Sequence, residues 1–265
     1  MKAMILAAGL GTRLRPLTDD RPKALVTVAG RTLLEITLSR LRSFGVSDVI
    51  VNAHHHAQMI VDYLQTHNNF GMKIQVSLEE QLLDTGGGLK KAAHFFSDSP
   101  QEPFILHNVD VLSTIDLGKM ARFHTEQHAL ATLAVQDRIT SRYLLFDEQG
   151  QLCGRRVMRV SKTESSKAES GAAQADQLVR PAEQMQPLAF SGIHVLSPLI
   201  FEKMKEQGAF SIIDAYLHLA SQGEKFIAFR ADGGYWRDLG RPENLLEAAQ
   251  DIANGKFFAP LHPTS

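Results

Sequence analysis

The sequence predicts an α/β protein: a Rossmann-like, mostly parallel mixed sheet flanked by helices, with added antiparallel strands in its second half. Three observations predict it. Ala3 to Ala7 is a short, continuous apolar run ended by Gly9, the pattern of a strand covered on both faces. Strand-like and helix-like segments then alternate up to about residue 115, the arrangement that builds a parallel sheet with ligands at the carboxyl ends of its strands. Beyond Asp116 the alternation gives way to strand-rich stretches.

Each element has its own signal. After the first strand and a loop, Leu34, Leu38 and Leu41 recur at helical spacing from Arg31 to Phe44, with Leu33 and Phe44 on a neighbouring row, and Gly45 is placed to end that helix. These rows are core rather than a cofactor box. Asp48 to Asn52 reads as a strand, Ala57 to Leu64 as a helix, Lys73 to Leu78 as a strand, Gly88 to Phe96 as a helix and Phe104 to Leu106 as a strand. A helix to about Gln127 follows, then strands at Ala131 to Val135, Tyr143 to Phe146 and Leu188 to Leu196. Ile212 to Ala220 is helical, Phe226 to Phe229 extended, and Pro242 to Ile252 a last helix. Ser161 to Gln186 is rich in Ser, Ala, Glu and Gln and poor in large apolar residues, so an exposed or mobile excursion is expected there. No repeat of fixed period is present.

Composition narrows the function classes. The 265 residues are 44% hydrophobic and 22% charged, which excludes disordered and fibrous classes. With 28 Lys plus Arg against 29 Asp plus Glu, the net charge of −1 gives no global attraction to nucleic acid or to anionic lipid, so phosphate binding has to be local. The single cysteine, Cys153, has no intramolecular partner for a disulfide, and a cytoplasmic location is the expectation. No run approaches the roughly 18 apolar residues of a membrane span.

The most informative stretch is LAAGLGTRLRPLTDDRPK, Leu6 to Lys23. Gly9 and Gly11 directly after a strand permit positive φ and a close approach of backbone N–H groups to an anion. A dinucleotide fingerprint wants a third glycine where Leu14 stands, and Pro16 would break its helix; a P-loop wants a Gly-Lys-Ser/Thr that is absent. Arg13 and, ten residues on, Lys23 remain as two cations able to fold back on one polyphosphate.

This string resembles the signature of the sugar-1-phosphate nucleotidyltransferases, with Ala8 where many members have glycine. The resemblance continues in EEQLLDTGGGLKKA (Glu79 to Ala92), similar to the family's nucleobase-recognition stretch, and in ILHNVDVL (Ile105 to Leu112), similar to its metal-binding strand end. FSGIHVL (Phe190 to Leu196) resembles its sugar-contacting strand, and YWRDLGRPENL (Tyr235 to Leu245) the segment with a second metal aspartate. The five motifs span nearly the whole chain. They imply the nucleotide-diphospho-sugar transferase fold as one domain over 1–265, with an NTP-binding half to about residue 115 and a sugar-phosphate half from about 116.

The reaction so implied is attack of a sugar-1-phosphate oxygen on the α-phosphorus of a nucleoside triphosphate, with pyrophosphate leaving. Two anions must meet, so charge neutralisation and in-line positioning matter more than a covalent nucleophile. The resemblance implies Arg13, Lys23 and Asp110 as catalytic residues, with Arg13 on the leaving pyrophosphate and Lys23 on the α-phosphate or sugar phosphate. It implies Asp110 and Asp238 as ligands of Mg²⁺, an ion that prefers one or two carboxylates plus phosphate oxygens. Leu6, Ala7, Ala8, Gly9, Gly11, Thr12, Arg13, Glu79, Asp84, Gly86 and Gly87 are the implied nucleotide site, the glycine amides of the last two facing base or ribose. Glu79 and Glu80 are interchangeable at this level. Asn108, Ser191 and Gly192 are the implied sugar contacts.

Against each stands a plainer role: surface cations for Arg13 and Lys23, a turn former for Asp110, a flexible turn for Gly86 to Gly88. Their joint occurrence in the family's order decides for chemistry. His54, His55 and His56 do not read as a metal site, because consecutive residues leaving a strand point in different directions. Trp236 reads as a packing anchor. Among family members the chain looks most like the short uridylyltransferases acting on N-acetylmuramic acid 1-phosphate. Mannose-, heptose- or glucose-1-phosphate guanylyl-, thymidylyl- or uridylyltransfer and a non-catalytic nucleotide-sugar-binding subunit are the alternatives. Expected partners are the NTP and sugar-1-phosphate, with neither nucleic acid nor membrane; oligomeric state is not legible.

Overall fold

The structure, a computed structural model, describes residues 1–158 and 176–257. β1 (Lys2–Leu6) divides its side chains between two hydrophobic clusters: Ala3 and Ile5 enter one, Met4 and Leu6 the other. Alternate residues of a strand point to opposite faces, so a continuous apolar run is what a sheet covered on both sides requires.

Past β1 the chain makes two single 3₁₀ turns, Thr12–Leu14 and Lys23–Leu25, and a small hairpin of β2 (Thr27–Val28) and β3 (Arg31–Thr32). Strands of two residues leave no periodic signal, and patterning missed them. α1 (Leu33–Ser43) is capped by Thr32, whose hydroxyl accepts from the Glu35 amide at 3.0 Å, and Gly45 at φ 78° ends it as predicted. β4 (Asp48–Ala53), α2 (Ala57–Thr66) and β5 (Lys73–Leu78) follow in the expected order.

α3 (Asp84–Lys91) starts four residues earlier than expected, and only a 3₁₀ turn, Ala92–Phe96, continues it. Three consecutive glycines disfavour helix by propensity; packing against a neighbouring loop overrides that. β6 (Phe104–Asn108), β7 (Val111–Ser113), α4 (Leu117–Glu126), β8 (Ala131–Gln136), β9 (Arg142–Phe146) and β10 (Leu152–Val157) come next. After them come β11 (Gln177–Leu178), β12 (Gln186–Leu196), α5 (Ile200–Lys203), α6 (Ile212–Ser221), β13 (Phe226–Arg230), β14 (Trp236–Asp238) and α7 (Pro242–Ala253).

Among the described residues ten strands form one sheet. β5, β4, β1 and β6 are parallel neighbours; β12 then pairs antiparallel with β6, β8 and β9, β10 and β11 extend antiparallel from β9, and β13 runs parallel to β8. β7 and β14 make a separate antiparallel pair. Of the expected excursion, 161–175 lies outside the described residues. In its remainder Gln177 and Leu178 are exposed, as expected, yet ordered: Leu178 pairs with Gly154, and Asp176 takes both guanidinium arms of Arg156 at 2.7 Å. A fixed ion pair and a ladder compensate for the segment's poor apolar content. No helix among the described residues is long and apolar enough to cross a membrane.

Candidate active site

β1 has β4 on one side and β6 on the other, with Leu6 level with Asn52 and Asn108. The chain leaves these strand ends in opposite directions, and a crevice opens where it does so. Two cavities occupy it, one of about 210 Å³ and one of about 760 Å³, and both are bordered by Asp84, Thr85, Asn108 and Asp110.

The smaller cavity is walled by the glycine loop. Leu6, Ala7, Ala8 and Gly9 line it, with Lys23 and the half-exposed Leu82 opposite. The loop is pinned from below: the Ala7 amide donates to Asn52 Oδ1 at 2.7 Å, and Asn52 Nδ2 donates to Glu79 Oε1 at 2.7 Å. Gly11 adopts φ 63°, where its carbonyl accepts from the Thr18 hydroxyl at 2.9 Å and from the Leu14 amide at 2.8 Å. A Cβ there would lie 2.9 Å from Thr18 Cγ2, so the turn requires glycine. Thr12 and Arg13 are exposed on the following 3₁₀ turn.

Lys23 and Asp110 form an ion pair at the border of the two cavities, with their side chains 11% and 16% exposed. Partial burial strengthens such a pair by lowering the local dielectric. The Asp110 carbonyl accepts from the Leu239 amide at 2.8 Å, and the β7–β14 ladder sets Asp238 opposite Val111. The two aspartates, 128 positions apart in sequence (238 − 110), thereby border one cavity. Gly240 lies between Arg13 and Asp238: a Cβ on it would fall 2.7 Å from Arg13 Nη2 and 2.7 Å from Asp238 Oδ1. Asp238 Oδ1 accepts from the Gly240 amide at 2.6 Å.

Among the described residues no three His, Cys, Asp or Glu side chains are grouped around a metal position. Two aspartates beside a space for phosphates suit a hard octahedral ion that completes its shell with substrate oxygens and water, and Asp110 already pairs with a cation. Asp110 and Asp238 therefore fit Mg²⁺. Of the three histidines at 54–56, His55 and His56 bring their ring centroids within 3.9 Å of each other, while His54 turns away to share a hydrogen bond with the Glu79 carbonyl at 2.8 Å.

Four expected site residues, Glu79, Gly86, Gly87 and Ser191, are placed differently from expectation. Glu79 is buried behind the loop, with one oxygen accepting from Asn52 and the other from the Leu83 amide at 3.0 Å, so its carboxylate braces the wall instead of facing the cavity; Glu80 is exposed. The Gly86 amide, which was expected to face base or ribose, donates to the Phe210 carbonyl at 2.9 Å, as does that of Gly87 at 3.4 Å. A Cβ at Gly86 would sit 2.3 Å from the Phe210 ring and one at Gly87 2.3 Å from the Gly208 carbonyl, so these glycines admit the 208–210 loop. Ser191 is fully buried, its hydroxyl without a hydrogen-bond partner among the described residues and its carbonyl accepting from Trp236 Nε1 at 2.8 Å. The strand's alternation turns Ser191 inward and leaves Phe190 and Gly192 on the larger cavity. Asn108 also borders that cavity, and Gly192, at φ 73°, lies against its amide.

Sequence reasoning missed several wall residues. Arg138, Arg142, Arg155 and Arg156 line the larger cavity with Tyr143, and β9–β10 pairing brings the last three arginines together. Trp236 is an anchor as expected, yet it also lines the cavity, with the Arg138 guanidinium 3.6 Å above its ring. Burial lowers the pKa of Arg138, opposed by the charge of Asp238. No spacing rule marks these residues; Leu82 alone left a trace, an apolar side chain in a polar, glycine-rich stretch. At and below the floor, burial depresses His194, which lines the larger cavity, to about 3 and His107 to about 4, so both imidazoles are neutral. His107 Nδ1 donates to the Asn108 carbonyl at 2.8 Å.

The profile of the nucleotidyl transferase family matches residues 2–255. An N-acetylmuramate alpha-1-phosphate uridylyltransferase of Caulobacter vibrioides is 32% identical over 259 residues, which cover 95% of this chain and 96% of that protein. A mannose-1-phosphate guanyltransferase of Yarrowia lipolytica is 27% identical over 248 residues, 93% of this chain and 62% of that protein. The crystal structure of HddC from Yersinia pseudotuberculosis complexed with GMP-PN superposes with a TM-score of 0.70 at 25% identity, covering 95% of this chain and 99% of that one. By the family profile over nearly its full length, the near end-to-end relative and the shared fold, the chain belongs to the nucleotidyl transferase family and is an enzyme of the sugar-1-phosphate nucleotidyltransferase class.

Proposed function

We propose that the protein transfers the uridylyl group of UTP to N-acetylmuramic acid 1-phosphate, releasing pyrophosphate. The observation that carries this choice of substrates is the extent of the matches. The N-acetylmuramate 1-phosphate uridylyltransferase is covered over 96% of its length, whereas the guanyltransferase and a UTP–glucose-1-phosphate uridylyltransferase of Synechocystis are covered over 62% and 63% of theirs.

In this reading the smaller cavity receives the nucleotide and the larger the sugar phosphate, dividing the work between residues before and after about 115. Leu82 offers the base an apolar face and Asp84 an acceptor, while the amides of the loop from Ala7 to Gly11 and the guanidinium of Arg13 hold the β- and γ-phosphates. Lys23, at the border of the cavities, offsets the charge at the α-phosphorus as the sugar phosphate oxygen bonds to it and the bridging oxygen to the β-phosphate leaves with the pyrophosphate. Asp110 and Asp238 would hold Mg²⁺, which supplies charge neutralisation between the two anions when bound. Asn108 and the open backbone at Gly192 orient the sugar.

A matrix of NTPs against sugar-1-phosphates, read by pyrophosphate release with and without a chelator, tests the reading. UTP with N-acetylmuramic acid 1-phosphate should give the highest kcat/KM, and chelation should stop it. A higher kcat/KM with another pair overturns the substrate choice; no turnover with any pair overturns the enzymatic reading.

A further inference from the structure

Four arginines line the larger cavity, and three of them are committed within the protein. Arg155 is neutralised by Asp214 and Arg156 by Asp176, and Arg138 is committed to the Trp236 ring and, at 2.7 Å, to the Phe190 carbonyl. Arg142 differs. It is exposed, it lines the cavity, and its guanidinium makes neither ion pair nor hydrogen bond to any described residue. A guanidinium exposed in the cavity and held by no carboxylate among the described residues is a place for an anion of the ligand.

Register indicates which part of the ligand it meets. Leu188 pairs with Leu144 on β9 and Ile193 with His107 on β6. Extending both registers sets Arg142 level with Phe190 and Asn108 level with Gly192. Phe190 and Gly192 lie two positions apart on β12, at the irregularity that the strand makes between Phe190 and His194, so Arg142 and Asn108 border different parts of the same cavity. The 1-phosphate belongs at the Lys23 and Asp110 end, so a group at Arg142 sits across the ring from it.

We infer that Arg142 is a specificity residue that binds a carboxylate on the sugar, so that the enzyme selects acidic sugar-1-phosphates over neutral ones. This rests on the substrate reading above, in which the lactyl ether of N-acetylmuramic acid supplies that carboxylate. N-acetylglucosamine 1-phosphate is the same sugar without it.

The test compares kcat/KM for these two sugar phosphates, with UTP and Mg²⁺, in the wild type, Arg142→Gln and Arg142→Lys. The Gln variant should lose roughly tenfold to 100-fold on N-acetylmuramic acid 1-phosphate, the worth of a hydrogen bond to a charged group. That loss should exceed its loss on N-acetylglucosamine 1-phosphate by tenfold or more, and the Lys variant should recover part of it. Equal losses on both sugars, or less than threefold on the acidic one, overturn the role of Arg142 while leaving the substrate reading in place. A wild-type enzyme that prefers a neutral sugar-1-phosphate overturns both.

Discussion

Lys23 and Asp110 lie 87 residues apart in the chain and form an ion pair where the two cavities meet. One comes from the loop after β1 and the other from the turn after β6, so the pair closes the crevice that the parallel strands open. Its position gives the first prediction. Asp110→Asn should abolish Mg²⁺-dependent turnover with the fold intact, and Lys23→Ala should lower kcat by roughly 100-fold or more, as removal of a charge-stabilising donor does. Steady-state kinetics beside thermal melting separates this from a purely structural role, which would change melting and spare kcat.

Asn52 joins the Ala7 amide to the Glu79 carboxylate. Replacing it with alanine strands a buried amide and a buried carboxylate, each at a cost of about 1–3 kcal/mol. Asn52→Ala should therefore lower the midpoint of chemical denaturation and raise KM for the nucleotide, since the loop is anchored there. A variant with unchanged denaturation and unchanged KM would contradict the bracing role of Glu79.

Gly86→Ala addresses the packing of α3 against the 208–210 loop. The added methyl meets the Phe210 ring and carbonyl at under 3 Å, and overpacking of this kind costs about 1–3 kcal/mol. The loop has to move, taking with it the bond from the Ile212 amide to the Thr85 hydroxyl, 2.9 Å long. The expected outcome is lower stability in urea together with weaker nucleotide binding. Weaker binding at full stability would instead favour a direct contact between the glycine and the base.

Buried histidines predict an acid limit to stability. His107 and His124 are depressed to about 4 and His194 to about 3, in each case chiefly by burial. In the unfolded chain they titrate near the ordinary histidine value of about 6.5, so below it the unfolded chain takes up protons that the folded chain refuses. Stability is then fully present above about pH 6.5 and falls as pH drops towards 4. Melting temperature measured from pH 7.5 to 4.5 should decline through that window. His194→Gln should flatten the decline relative to wild type, even where it lowers stability throughout.

The sequence by itself determined the alternation of strands and helices and the glycine turn with Arg13 and Lys23, and it singled out Asp110 and Asp238 as candidates. These are local signals: a φ of 63° at Gly11, an apolar run in β1 and a glycine ending α1 each depend on a few neighbouring residues. Tertiary structure decided what lines the cavities. Glu79 turned to Asn52, Gly86 and Gly87 to the Phe210 carbonyl, and Ser191 to the interior, while Arg138 and Arg142 came to line the cavity. A residue's partners across a sheet are fixed by strand register and by the loops packed over it. Register arises from pairings between distant segments, such as β12 with β6 and β9, and no short stretch of the chain encodes it.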